Sequence, residues 1–83
     1  MAERQEVLTA ISVRLQEVIP ALRGNSPDAE TDLREYAEFD SLGVLELLVW
    51  IEGEFSLTIP DEELTVERFS TPAKIADYIV ARG

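Results

Sequence analysis

The sequence predicts an all-α fold: a four-helix bundle of three main helices plus one short helix, with a long loop between the first two main helices. Three observations carry that prediction. Apolar residues recur at helical spacing through the first 22 positions, a second apolar run fills residues 42–51, and Thr71-Pro72 opens a third helical pattern. No segment alternates apolar and polar residues well enough to read as a strand. At 83 residues, 46% apolar and 29% charged, the chain has room for one domain, spanning 1–83.

The first helix starts near Glu3. Val7, Leu8, Ile11, Leu15, Val18, Ile19 and Leu22 fall within about 120° of arc, the stripe of an amphipathic helix against a core. Pro20 lacks a backbone donor, which ends or bends the helix near Ile19. Arg23 to Asp28 is turn chemistry. From Asp28 to Asp40 no period is sustained, and only Leu33, Tyr36 and Phe39 can anchor the segment. Loops of this length inside compact domains are commonly functional. The second helix runs from Ser41 to Phe55, with Asp40 placed to cap it. Thr58 to Asp61 closes that region and opens a short turn over Glu62, Glu63 and Leu64. In the last helix Thr71 is the N-cap, Pro72 takes the first position, and Ile75, Ala76, Ile79 and Val80 face inward.

Composition narrows the function. The chain has no Cys and no His, so it forms neither a disulfide nor a thiolate zinc site and cannot build a His-dependent triad. An independent enzyme is disfavoured. Net charge is −10, which argues against nucleic-acid binding, because neutralising phosphates requires a Lys/Arg face. No window reaches the ~18 consecutive apolar residues of a membrane span, and no signal-peptide pattern opens the chain. Residues 28–67 hold 13 acids and one base, Arg34. A block of that kind suits a basic partner surface, with plain solubility as the alternative. Asp28, Glu30 and Asp32 mimic the start of a calcium loop, but Leu33 and Phe39 stand where that loop needs Gly and Glu, so no metal is expected. The expectation is a cytoplasmic acidic module that works through partners.

The second helix is the informative element. Residues 42–51 are apolar nearly all the way round, yet a chain this short cannot surround a helix. Val44, Leu47, Leu48, Ile51 and Phe55 form its core face. Leu42, Leu45 and Val49 form a second apolar flank beside Ser41, bordered by Glu46 and Glu52, and such a strip framed by charge marks a docking face for a partner. Gly43 and Gly53 each cost a helix interior roughly 1 kcal/mol. Their expected compensation is close approach of a partner along that flank. Trp50 lies opposite Ser41 and is expected to pack within the fold.

Phe39-Asp40-Ser41-Leu42, opening a helix after a long loop, resembles the Asp-Ser-Leu motif of acyl carrier proteins. The likeness continues through Glu46-Leu47, Glu52, Glu54-Phe55 and Ile59-Pro60-Asp61-Glu62-Glu63, covering most of the chain. The resemblance implies the acyl-carrier bundle and a non-enzymatic, monomeric carrier. It also implies that Ser41, next to the motif residue Asp40, is esterified with 4′-phosphopantetheine from coenzyme A, whose thiol holds the cargo as a thioester. The implied partners are a phosphopantetheinyl transferase, an acyl- or aminoacyl-loading enzyme, and downstream synthases with basic docking surfaces. The physics of the residues agrees. A phosphodiester on Ser41 sits at a helix N-terminus, where free N–H groups and the dipole favour an anion. No His, Lys or Cys adjoins Ser41 in sequence to make it a nucleophile in its own right, as befits the substrate of a modifying enzyme.

The family's frequent Leu-Gly before the Asp is absent, with Ala37 and Glu38 there instead, and Gly43 replaces an acid common in fatty-acid carriers. Phe69 to Ile75 is similar to the corresponding part of D-alanyl carriers. Six Arg against one Lys fits a GC-rich genome and points to polyketide or nonribosomal-peptide biosynthesis, including antibiotics. Housekeeping fatty-acid and D-alanyl carriers are the alternatives, and an unmodified acidic helical adaptor is the reading from another class.

Overall fold

The computed structural model describes residues 3–25 and 27–82. Helix α1 spans Arg4–Val18, α2 spans Ser41–Phe55 and α3 spans Pro72–Arg82. Among the described residues there is no strand. The expected short element is a single 3-10 turn at Asp61–Glu63, and three further single turns accompany it at Pro20–Leu22, Leu33–Glu35 and Glu67–Phe69.

Each helix starts and stops for a local reason. The Glu3 carboxylate accepts the Gln5 N–H at the start of α1. Val7, Ile11 and Leu15, four residues apart, are its buried stripe. The helix ends at Val18 because Pro20 cannot extend it, and Ile19 N–H closes onto the Leu15 carbonyl at 2.8 Å. In α2 the Asp40 carboxylate accepts the Gly43 N–H at 2.9 Å, the N-cap expected of that residue. At the other end Ser56 adopts φ 54, a left-handed cap at which Gly is more usual. The Thr71 hydroxyl accepts the Lys74 N–H at 3.1 Å over the first turn of α3.

Packing follows the apolar pattern with one exception. The α1 stripe lies most extensively against α3, with an Arg4–Asp77 ion pair at the rim. Val44, Leu47, Leu48 and Ile51 of α2 complete the core with Ile75, Ala76 and Ile79 of α3. Val80, expected inward, is 36% exposed. Its side of the helix is not the cause, because Ala73 and Ala76 flank the same direction and are buried; Val80 stands in the last turn of α3. Phe69, in a turn that the sequence does not signal, is fully buried.

The long loop is anchored as predicted, with Leu33 and Phe39 buried and Tyr36 half-buried. Backbone hydrogen bonds add to those anchors. Leu33 N–H donates to the Ser70 carbonyl at 2.8 Å, and Ala73 N–H donates to the Ala29 carbonyl at 2.9 Å. Asp32 accepts from the Arg34 N–H and pairs with its guanidinium at 2.9 Å. These Arg34 hydrogen bonds hold the Asp32 carboxyl at about 2. Asp32, the third acid of the apparent calcium spacing, is thus committed to an arginine, and no cluster able to hold a metal exists among the described residues. The loop is therefore pinned to the start of α3, and it delivers Phe39 and Asp40 to the start of α2.

Candidate functional site

The end of the long loop, the first turn of α2 and residues 64–66 converge around Ser41. Ser41 is the first residue of α2 and is exposed. No acidic residue occupies that first turn, and the neighbouring Asp40 carboxylate is engaged by the Gly43 N–H. The hydroxyl therefore stands at the positive end of a 15-residue helix with no carboxylate opposing an anion from within the turn. A phosphodiester fits that position, because the first N–H groups of a helix lack intrahelical partners.

Beside Ser41 opens a groove of about 380 Å³. One wall is α2, through Val44, Leu45 and Leu48. The other is Leu64, Thr65 and Val66, the stretch that follows the Asp61–Glu63 turn. The chain thus places an apolar slot directly beside the exposed hydroxyl. The sequence does not signal this second wall as part of the site. Its only local signal is the Leu64 and Val66 pair after Ile59-Pro60-Asp61, too short a pattern to place in space.

The expected docking flank is on the surface. Leu42 is 64% exposed, Leu45 48% and Val49 61%, and Glu46 is exposed beside them. Leu45 also lines the groove, so flank and groove share a rim. Glu52 differs from the others. It is half-buried, and its Oε2 accepts the Ile59 N–H at 2.8 Å, so this carboxylate fastens the segment after α2 as well as contributing charge. Trp50 packs within the fold, edge-on to Phe55 at 5.8 Å and beneath Arg14 at 5.7 Å.

Gly43 corrects the sequence expectation. It is buried and faces its own chain, not a partner. A Cβ there would lie 2.0 Å from the Glu38 carbonyl oxygen, closer than any real contact. Gly43 lets the loop cross tightly over the first turn of α2, and that crossing brings Asp40 into its cap. Gly53 has open space around it.

Residues 6–79 match the family described as Phosphopantetheine attachment site. The chain belongs to that family. It is 34% identical over 77 residues to an acyl carrier protein of Bdellovibrio bacteriovorus, covering 89% of this chain and 96% of the relative. It is 38% identical over 79 residues to a D-alanyl carrier protein of Bacillus velezensis, covering 95% of each. Its fold is similar to the crystal structure of a Toxoplasma-specific mitochondrial acyl carrier protein. There the TM-score is 0.75 and the identity 26%, over 96% of this chain and 90% of the other. The expected all-α acyl-carrier bundle is therefore shown, and so is the class of protein: a carrier of the acyl/D-alanyl type, not a catalyst, whose prosthetic group is covalent 4′-phosphopantetheine. Among the described residues, no helix is long and apolar enough to cross a membrane.

Proposed function

We propose that Ser41 is the attachment residue and that residues 1–83 work as one cytoplasmic carrier unit. The observation that carries this reading is the exposed Ser41 hydroxyl at the start of α2, capped by Asp40 and opening onto an apolar groove. Asp40 positions Ser41 by holding the first turn through the Gly43 N–H. The free N–H groups of that turn stabilise the phosphodiester once formed. When attached, the arm supplies a thiol that carries an acyl or aminoacyl group as a thioester. Val44, Leu45, Leu48, Leu64 and Val66 line the slot that shelters the apolar part of such a cargo.

Partner recognition is assigned to the exposed flank of Leu42, Leu45 and Val49, with Glu46 supplying steering charge toward basic surfaces of a phosphopantetheinyl transferase and of loading and synthase enzymes. Six Arg against one Lys supports a role in polyketide or nonribosomal-peptide assembly. The names of the relatives favour a second reading, a fatty-acid or D-alanyl carrier. The test of the site is the intact mass of the pure chain after incubation with coenzyme A and a permissive phosphopantetheinyl transferase. The wild type should gain one phosphopantetheine and Ser41→Ala none. An unmodified wild type, or an arm that persists in Ser41→Ala, would overturn the assignment of Ser41.

A further inference from the structure

The groove beside Ser41 has one rigid wall and one tethered wall. Val44, Leu45 and Leu48 belong to α2 and cannot move independently of it. Leu64, Thr65 and Val66 lie between two single 3-10 turns, Asp61–Glu63 and Glu67–Phe69. The hydrogen bonds Glu63 N–H to Pro60, Leu64 N–H to Asp61 and Thr65 N–H to Glu63 keep that stretch folded on itself, but they do not attach it to a helix. Among the described residues, two polar ties join residues 58–66 to the main helices. At one end Ile59 N–H is held by Glu52 of α2. At the other, a single carboxylate oxygen, Glu63 Oε1, accepts from both the Tyr78 hydroxyl and the Arg82 guanidinium of α3.

The α3 side of this second tie is firmly seated. Tyr78 packs edge-on to Phe69 at 5.1 Å, and Phe69 is fully buried. Arg82 lies over the Tyr78 ring at 4.4 Å. The three polar groups are matched in protonation. Hydrogen bonding from Tyr78, and the nearby Arg82 charge against a desolvation cost, keep the Glu63 carboxyl below its usual range. Burial and then the Glu63 hydrogen bond push the Tyr78 hydroxyl above its own. At neutral pH the carboxylate accepts and the phenol donates, which makes this a charge-assisted contact.

We propose that Glu63 is a positioning residue that fixes the movable wall of the Ser41 groove to α3, and thereby limits the size of acyl group that the groove admits. The proposal rests on the reading of Ser41 as the attachment residue. While Glu63 is tied to Tyr78 and Arg82, Leu64 and Val66 stay close to Leu45 and Leu48. Released, the stretch is still held at its two ends, by Glu52 on the Ile59 N–H and by the Glu67–Phe69 turn, where Arg68 N–H donates to Thr65 Oγ1 and Phe69 N–H to the Val66 carbonyl. The 60–65 turn between them opens away from α2, and longer chains enter.

The test has two arms. In the unmodified protein, amide hydrogen exchange at Leu64 and Thr65 is compared among wild type, Glu63→Gln and Tyr78→Phe, with Ile11 and Leu15 in α1 reporting global opening. Tyr78→Phe keeps the ring on Phe69 and serves if Glu63→Gln does not fold. Exchange at Leu64 and Thr65 should rise roughly tenfold in the variants while the α1 amides hold, as expected for loss of a hydrogen bond to a charged group. In the second arm, holo protein carrying butyryl, octanoyl or dodecanoyl groups is melted. Wild type should stop gaining stability at a shorter chain than the variants do. Unchanged exchange at Leu64 and Thr65, or the same chain-length limit in variant and wild type, would overturn the proposal. If Ser41 accepts no arm, the attachment reading fails, while the exchange arm still decides whether Glu63 holds the wall.

Discussion

Two glycines in one helix should respond to the same substitution with opposite signs. In α2, Gly53 has nothing within 4 Å of where a Cβ would stand, so Gly53→Ala gains helix propensity at no steric cost. The expected stabilisation is at most about 1 kcal/mol. At Gly43 the new Cβ would lie 2.0 Å from the Glu38 carbonyl oxygen and 3.5 Å from the Asp40 carboxylate. A backbone carbonyl cannot rotate aside as a long side chain can, so the loop itself must move. Overpacking of that kind costs about 1–3 kcal/mol. Displacing Asp40 from the Gly43 N–H costs about 1 kcal/mol more. After subtracting the propensity gain, Gly43→Ala should destabilise the domain by about 1–3 kcal/mol. For a chain of this size that corresponds to a fall in Tm of roughly 5–20 °C. Thermal melts followed by the helical signal at 222 nm, with both variants and wild type in one buffer, read the difference. A rise in Tm for Gly43→Ala, or equal shifts for the two variants, would show that the loop does not cross α2 as described.

Asp40→Ala removes the α2 cap and should cost about 1 kcal/mol, seen as a lower Tm with the other two helices retained. Asp32 titrates at about 2, below its ordinary 3.8, because Arg34 donates hydrogen bonds to it. Its contribution to stability is therefore complete above the ordinary value and lost as pH falls through about 2. Glu63, also lowered, acts with the same sign. A carboxyl titration followed by NMR should place Asp32 at about 2 in wild type and return it toward the ordinary value in Arg34→Ala. Glu46→Lys should slow modification of Ser41 without unfolding the chain, and the slowing should shrink as salt is raised. Glu52→Lys is a poorer probe of recognition, because it also removes the acceptor of the Ile59 N–H.

Much of this fold is legible in the sequence because its signals are local. Asp40 before an apolar helical run, Pro20 after one, and Thr71-Pro72 mark boundaries that need no knowledge of distant residues. The exposed flank is legible for a different reason: a short chain cannot bury a helix that is apolar on two sides, so Leu42, Leu45 and Val49 face solvent. What the sequence conceals is tertiary. Gly43 looks like any costly helix glycine until the Glu38 carbonyl is placed against it. Glu63 looks like one acid among several, and only the packing of α3 brings Tyr78 and Arg82 onto it from 15 and 19 residues away. Val80 continues the apolar pattern of α3 but stands in its last turn, partly exposed. Phe69 lies in a single 3-10 turn, which carries too few residues to display a period.

The central claim is that the prosthetic arm is joined to one hydroxyl, that of Ser41. The most direct measurement is fragment-ion sequencing of the tryptic peptide spanning residues 35–68 from protein modified with coenzyme A and a phosphopantetheinyl transferase. That peptide also contains Ser56, Thr58 and Thr65, so it distinguishes among four aliphatic hydroxyls in one spectrum. The arm should be found on Ser41 alone, the hydroxyl at the first turn of α2. An arm on Ser56, Thr58 or Thr65, or divided among them, would contradict the account.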